Sequence, residues 1–273
     1  MFSELRSIAV GALAVGVAGV GLAVTRPAEA SSRPAPPKPT VVFVHGGWAD
    51  SSGWNGVMQR LRKDGYPVRA ASNPLRGPVV DSAYVAEFLH SITGPIVLVG
   101  HSYGGFVITN AAAGNTDVKA LVYVAALVPD AGDTAAGLNA RPVAHPIAPL
   151  PLQPVTITEP DGSTGADLYL DPAQFRARFA ADVDRETAAN MAATQRPLDA
   201  AASAQPSGTP AWKTIPSWYL VATHDQALAP DLERFMARRA GAHTTEVDSS
   251  HAAMVSHPGT VTHLIEQADR ATR

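Results

Sequence analysis

Cysteine is absent from the 273 residues. That excludes disulfides, thiolate metal sites, a cysteine nucleophile and a lipid-modified N-terminal cysteine. Charge is sparse as well. Charged residues make up 16% of the chain, the formal net charge is -3 at pH 7, and no block of five or six like charges occurs. The electrostatic footprint of a nucleic-acid-binding surface is therefore missing, and a small, roughly neutral ligand fits the charge balance better. The sequence contains no H-E-x-x-H or clustered His/Asp spacing, no G-x-G-x-x-G after a strand and no Walker-type lysine loop, so neither a metal nor an organic cofactor is expected. What the chain does have is apolar content, 46% hydrophobic, enough at this length for one large core.

The N-terminus reads as a leader. Met1 to Arg6 is short and polar, Ser7 to Val24 carries no charge and is mostly Ala, Val, Gly and Leu, and a polar stretch then ends in Ala28-Glu29-Ala30. A cationic start, an apolar middle and a small-residue end make residues 1–30 a secretory signal peptide, with cleavage expected after Ala30. An uncleaved anchor is the alternative, because the apolar run is about as long as the shortest spanning helix. There is no twin arginine, so a general secretory route is preferred. Residues 1–30 hold Arg6, Arg26, Glu4 and Glu29, which cancel, and the mature chain keeps its charge of -3. A secreted protein, free of the membrane after cleavage, is the expectation.

Residues 31–39, S-S-R-P-A-P-P-K-P, form an extended linker, since proline fixes φ and removes amide donors. The folded domain should span 40–273. Thr40–Val44, Tyr66–Ala71, Pro95–Gly100, Val118–Ala125 and Pro216–Ala222 are short apolar runs of the kind that form buried strands, and Thr244–Val247 adds a shorter one. Val85, Phe88, Leu89 and Ile92 recur at i, i+3, i+4, i+7 and predict a helix between two of these strands. Leu232, Phe235 and Met236 mark another, and Val261, Leu264, Ile265 and Ala268 a last one. This alternation predicts an α/β fold, a mostly parallel sheet with helices on both faces. From about Pro129 to Trp212 the rhythm breaks: a Pro-rich stretch over Arg141–Pro154 is followed by Ala-rich helical segments around Phe175–Ala181 and Arg185–Thr194. An insertion of helices and loops at this place is a candidate lid over an active site, and an ordinary packed excursion is the alternative.

The sharpest local signal is Gly100-His101-Ser102-Tyr103-Gly104-Gly105, between the strand Ile96-Val97-Leu98-Val99 and the helix-like Phe106–Ala113. In G-x-S-x-G the serine occupies a tight turn that pushes its hydroxyl out at the sheet's carboxyl edge, and the glycines flank it where a Cβ would collide with backbone. The helix behind offers free amides and a positive dipole end to an attacked carbonyl oxygen.

With this turn, Phe43-Val44-His45-Gly46-Gly47-Trp48, and the segments around Asp225 and His251, the chain resembles the α/β-hydrolase superfamily from about Thr40 to its end. Within it, the chain is similar to the small serine esterase and hydroxynitrile-lyase-like branch. The resemblance implies a triad in the order serine, acid, histidine: Ser102 as nucleophile, Asp225 as the acid and His251 as the base. It also implies a second oxyanion amide from the loop after the first matched strand, which assigns the hole to the amides of Gly47 and Tyr103. Of the loop residues, Trp48 is expected to wall the substrate pocket and His45 to be structural, and Trp212 of the inserted segment is expected as a second pocket wall. His257, and less so His243, compete with His251, and Asp248 competes with Asp225.

The function expected is hydrolysis of small to medium apolar carboxylic esters through an acyl-enzyme on Ser102. Leu152, Tyr169, Phe175, Phe179 and Trp212 are candidate apolar walls, and no arginine pair stands ready to clamp a carboxylate or phosphate. A lyase or perhydrolase on the same triad is a second reading. The plant hydroxynitrile lyases of the resembled branch carry a lysine beside the catalytic histidine, where this chain has Ala252. A ligand-binding homologue without turnover is the third.

Overall fold

A computed structural model describes residues 7, 9–16 and 37–273 of the chain. The leader cleavage expected after Ala30 and the linker up to Pro36 lie outside the described residues. The chain divides into two units, Met1–Pro36 and Pro37–Arg273, and the second carries the fold described below. No helix among the described residues is long and apolar enough to cross a membrane.

Strands β1 (Thr40–Val44), β2 (Val68–Ala71), β3 (Ile96–His101), β4 (Val118–Val124), β8 (Ser217–Ala222) and β9 (His243–Val247) form one sheet in the order β2-β1-β3-β4-β8-β9. Every pairing in it is parallel. Between β4 and β8 a second, antiparallel sheet is built from β5 (Leu152–Thr158), β6 (Thr164–Leu170) and β7 (Leu198–Asp199). The helices are α1 (Asn55–Lys63), α2 (Pro78–His90), α3 (Tyr103–Ala111), α4 (Ala135–Asn139), α5 (Pro172–Phe179), α6 (Arg185–Ala193), α7 (Pro230–Arg239), α8 (Ala253–Ser256) and α9 (Pro258–Thr272).

The period of two along each strand sends alternate side chains to two separate cores. Val42, Val44, Leu98, Leu121, Tyr123, Tyr219 and Val221 pack on one face with Val85 and Leu89 of α2, Phe106 of α3 and Met236 of α7. Val41, Phe43, Val97, Val99, Val122 and Leu220 pack on the other with Leu61 of α1 and Val261, Leu264, Ile265 and Ala268 of α9. Strands covered on both faces must be apolar throughout, which is why they read as continuous apolar runs. Proline opens α2, α5, α7 and α9, where its fixed φ suits the first helical turn and its missing amide costs no bond.

The segment between Pro129 and Trp212 contains the expected helices, α5 over the Phe175 region and α6 over the Arg185 region, each capped by an aspartate side chain, Asp171 and Asp184. It also contains the three-stranded sheet, which the sequence reading did not anticipate. Asp161-Gly162 supplies the hairpin turn, with Gly162 at φ 85°, a left-handed conformation that glycine adopts without strain. Phe175 and Phe179 are fully buried with Leu170 and Ala188 in a third cluster.

Candidate active site

Ser102 leaves β3 and precedes α3 with φ 52° and ψ −124°, a conformation that costs a non-glycine residue about 1–3 kcal/mol. The surroundings hold it there. Ser102 N donates to Val124 O (3.2 Å), and Ser102 O accepts from Gly105 N (2.9 Å) and Leu127 N (3.0 Å). The turn fits only because its glycines lack side chains: a Cβ on Gly100 would stand 2.7 Å from Gly104 O, and one on Gly104 would stand 2.5 Å from Val44 O.

The loop after β1 runs against this turn, close enough that a Cβ on Gly46 would meet Ser102 Cβ at 2.7 Å. Two amides are unengaged here. Tyr103 is the first residue of α3, so its N–H has no acceptor within the helix, and neither it nor Gly47 N makes a hydrogen bond among the described residues. Trp48 holds φ 55°; its amide donates to Arg196 O (3.0 Å) and its indole Nε1 to Leu168 O (2.8 Å). Both partners belong to the segment between β4 and β8, so that segment fixes the loop. His45 is buried; its Nδ1 donates to Gly46 O (2.9 Å) and its Nε2 accepts from Arg196 (3.3 Å). Burial lowers its pKa from the usual 6.5, so His45 stands neutral as loop structure.

His251 follows β9 and is 1% exposed. Its Nδ1 donates to Asp225 Oδ2 at 2.5 Å, a charge-assisted bond inside the protein. With the proton on Nδ1, Nε2 keeps a lone pair; that atom has no partner among the described residues, and His251 lines the same cavity as Ser102. Asp225 lies in the turn after β8, fully buried, and its Oδ1 accepts from Ala227 N (2.6 Å) and Leu228 N (2.8 Å).

The competing residues lie elsewhere. Asp248 is exposed and pairs with His224 at 2.6 Å. His257 sits 3.6 Å from Asp182 and bonds Ser256 Oγ at 3.0 Å. His243 stacks on Trp218, ring centroids 5.0 Å apart, on the sheet's outer strand.

Sequence reasoning missed two groups that hold His251 in place. His101 is fully buried and donates from Nε2 to His251 O at 3.0 Å, with ring centroids 4.6 Å apart. Burial and the neighbouring His251 lower its pKa well below 6.5. Phe179 of α5 meets the His251 ring edge-on at 4.7 Å, and its carbonyl accepts from Ala252 N (3.1 Å). Only the placement of His101 inside the G-x-S-x-G turn hinted at a role.

The cavity between these parts has a volume of about 530 Å³. Its wall is mostly apolar, with Trp48, Leu127, Val143, Ile147, Leu150 and Leu228 among the lining residues, and Arg141 is the one arginine or lysine among them. Arg141 lies over the Phe235 ring at 3.7 Å. Leu152 lines the cavity as expected of a wall, but Trp212 does not. That expectation is corrected: the Trp212 indole is tied to Pro129 O at 2.8 Å, which joins the two ends of the inserted segment and holds the ring away from the cavity. Phe175 and Phe179 likewise belong to the packed interior of the segment rather than to the cavity wall. No group of three or more His, Asp or Glu among the described residues could hold a metal ion.

Comparison with known proteins agrees with this architecture. The chain is 25% identical over 252 residues to the alpha/beta hydrolase nvfD of Aspergillus novofumigatus, covering 85% of this chain and 96% of that protein. It is 32% identical over 106 residues to a carbendazim hydrolyzing esterase of a Nocardioides species, 34% of this chain and 44% of that one. The crystal structure of polyneuridine aldehyde esterase superposes with a TM-score of 0.72 at 21% identity, over 84% of this chain and 98% of that chain. Residues 41–263 match the alpha/beta hydrolase family as a whole, and the chain is a member of that family.

Proposed function

We propose that this protein is a serine hydrolase of carboxylic esters, acting on small to medium apolar substrates through an acyl-enzyme on Ser102. The observation that carries the reading is the buried 2.5 Å bond from His251 Nδ1 to Asp225 Oδ2, which leaves Nε2 unprotonated on the cavity that Ser102 also lines. A serine hydroxyl is a weak nucleophile near neutral pH, and an imidazole with a free ring nitrogen is suited to take its proton. Asp225 fixes the tautomer that makes this possible and stabilises the imidazolium that forms. Ser102 Oγ attacks the ester carbonyl, its proton passes to His251, and the oxyanion is met by the amides of Gly47 and Tyr103. His251 then protonates the departing alcohol and activates a water that releases the acid.

A cavity of about 530 Å³ is within the range of small-molecule sites, and its apolar lining favours apolar acyl or alcohol groups. The names of relatives, an esterase and a hydrolase, support the reaction class. Export is part of the same reading and rests on the leader sequence; N-terminal sequencing of exported protein tests it, with Ser31 expected as the first residue. For the chemistry, Ser102→Ala should lower turnover of short aryl esters by about 10³-fold or more. A fluorophosphonate probe should label Ser102 in the wild-type chain. Retained turnover in Ser102→Ala would overturn the assignment.

A further inference from the structure

A second carboxyl stands behind Asp225. Glu233, on α7, is fully buried. Its Oε2 accepts from Ala222 N at 3.2 Å, while Oε1 has no donor to accept from among the described residues. As a carboxylate, then, Glu233 would carry a desolvated and half-satisfied charge. It would also carry it beside Asp225: Ala222, whose amide Glu233 accepts, takes the Asp225 amide at its own carbonyl (3.2 Å), so both carboxyls sit on the turn after β8 and the Asp225 charge acts on Glu233.

The groups around the pair are few. Tyr219 faces it from β8, but the Tyr219 hydroxyl donates its one proton to Ala126 O at 2.6 Å. His251 faces it from the loop after β9 and bonds Asp225. No arginine or lysine pairs with either carboxyl among the described residues. Two ionised carboxylates on one buried turn, shielded from water and with one imidazole between them and no cation, cannot both persist, so one holds a proton. Asp225 accepts three N–H donors, from Ala227, Leu228 and His251, whereas Glu233 accepts one. The charge therefore belongs on Asp225 and the proton on Glu233. Burial and the Asp225 charge push the Glu233 carboxyl well above its ordinary range.

We propose that Glu233 is a positioning residue, a neutral carboxylic acid whose Oε1–H donates to Asp225 and holds that carboxylate charged and aimed at His251. The orphan oxygen of the buried side chain thereby finds its partner, and Asp225 gains a fourth donor. The inference rests on the reading of Ser102, His251 and Asp225 as a triad, and it adds a fourth member that touches neither substrate nor nucleophile.

Three measurements on the full chain test it. First, the infrared difference spectrum of wild type minus E233Q at neutral pH should show the C=O stretch of a buried carboxylic acid; a carboxylate band in its place overturns the proposal. Second, E233Q keeps a neutral side chain with an N–H donor and should retain kcat within about threefold, while E233L, which cannot donate, should lose about tenfold or more in kcat with KM little changed. Third, fluorophosphonate labelling of Ser102 should persist in both variants, slower in E233L. If E233Q falls as far as E233L, the negative charge and not the donor is what Glu233 supplies, and the proposal fails. Should E233L not fold, the infrared band and E233Q still decide. Failure of the hydrolase reading looks different: wild type itself would resist the probe, whatever the infrared spectrum shows.

Discussion

The imidazole of His101 donates its Nε2 proton to the backbone carbonyl of His251, 3.0 Å away. The residue before Ser102 thus fixes the loop that carries His251, so the two side chains of the proposed reaction share one brace. His101→Phe keeps the ring's volume and removes the donor, leaving a buried carbonyl unpaired, a loss worth about 1–3 kcal/mol. We expect a lower melting temperature and a kcat reduced by about tenfold, the rate equivalent of about 1.4 kcal/mol, with KM nearly unchanged. The sign of the pH effect follows from the lowered pKa. Because folded His101 resists protonation while the unfolded residue takes a proton near 6.5, its contribution favours the fold above that pH and is lost as pH falls below it. Melting curves of wild type should steepen their acid decline below about pH 6.5, and His101→Phe should decline less.

Glycine positions give a second, steric prediction. A Cβ on Gly46 meets Ser102 Cβ at 2.7 Å and His101 O at 3.0 Å, whereas one on Gly259 meets nothing within 4 Å. Gly46→Ala must push the loop bearing the Gly47 amide away from Ser102, and turnover should fall by about 10²-fold or more, the cost of an oxyanion donor. Gly259→Ala, in the first turn of α9, should leave turnover intact and raise stability by about 0.5–1 kcal/mol, since alanine loses less entropy in a helix. Steady-state kinetics and thermal melts on the two variants check both.

What the sequence disclosed follows physical range. The strands of the parallel sheet were legible because burial on both faces leaves continuous apolar runs such as Val41–Val44 and Ile96–Val99, and the turn at Ser102 because its glycines answer to collisions within a few residues. The hairpin Leu152–Thr158 with Thr164–Leu170 was not: its first strand is largely exposed and holds Pro154, so neither apolar alternation nor an unbroken donor row marks it. Residues 141–154 read only as a proline-rich stretch, yet they supply much of the cavity wall. His101 and Glu233 were invisible in their present roles because the first meets its partner across 150 positions, and nothing local to the second distinguishes it from a surface helix glutamate. Trp212 was placed by composition alone, and a single bond to Pro129 O decides its position otherwise.

A third prediction concerns Tyr103, whose hydroxyl donates to Asp81 Oδ2 at 2.7 Å. Asp81 is buried and also accepts the amides of Arg76 and Gly77, so it clasps the start of α2 to the residue whose N–H is assigned to the oxyanion. Burial raises the Asp81 carboxyl and, with the Asp81 charge, raises the Tyr103 phenol too. Tyr103→Phe removes one donor from a desolvated carboxyl while two amides remain. Denaturant unfolding should show a loss of about 1.5–3 kcal/mol, the range for a bond to a charged group. Since the backbone amide stays, kcat should fall by no more than about tenfold; a loss near that of Ser102→Ala would mean that the phenol itself enters the chemistry.

The last prediction separates the two candidate acids. Asp225 is fully buried, and its oxygens take the imidazole Nδ1–H and two backbone amides. An asparagine there has one acceptor oxygen for these three donors. If the amide oxygen faces Ala227 N and Leu228 N, its NH₂ points at His251 and forces the tautomer with the proton on Nε2, which cannot accept from Ser102. If the oxygen faces His251 instead, the NH₂ collides with two amide donors and the turn is destabilised. Either way Asp225→Asn should lower kcat by about 10⁴-fold, the loss known for such a swap in a serine protease triad. Asp248 is exposed and its partner is His224, so Asp248→Asn removes only one surface side-chain contact, worth about 0–1 kcal/mol. Turnover in that variant should stay within about twofold of wild type. Kinetics on both variants with one aryl ester decide the assignment: if Asp248→Asn is the crippled enzyme and Asp225→Asn is not, the buried bond to His251 does not serve the reaction.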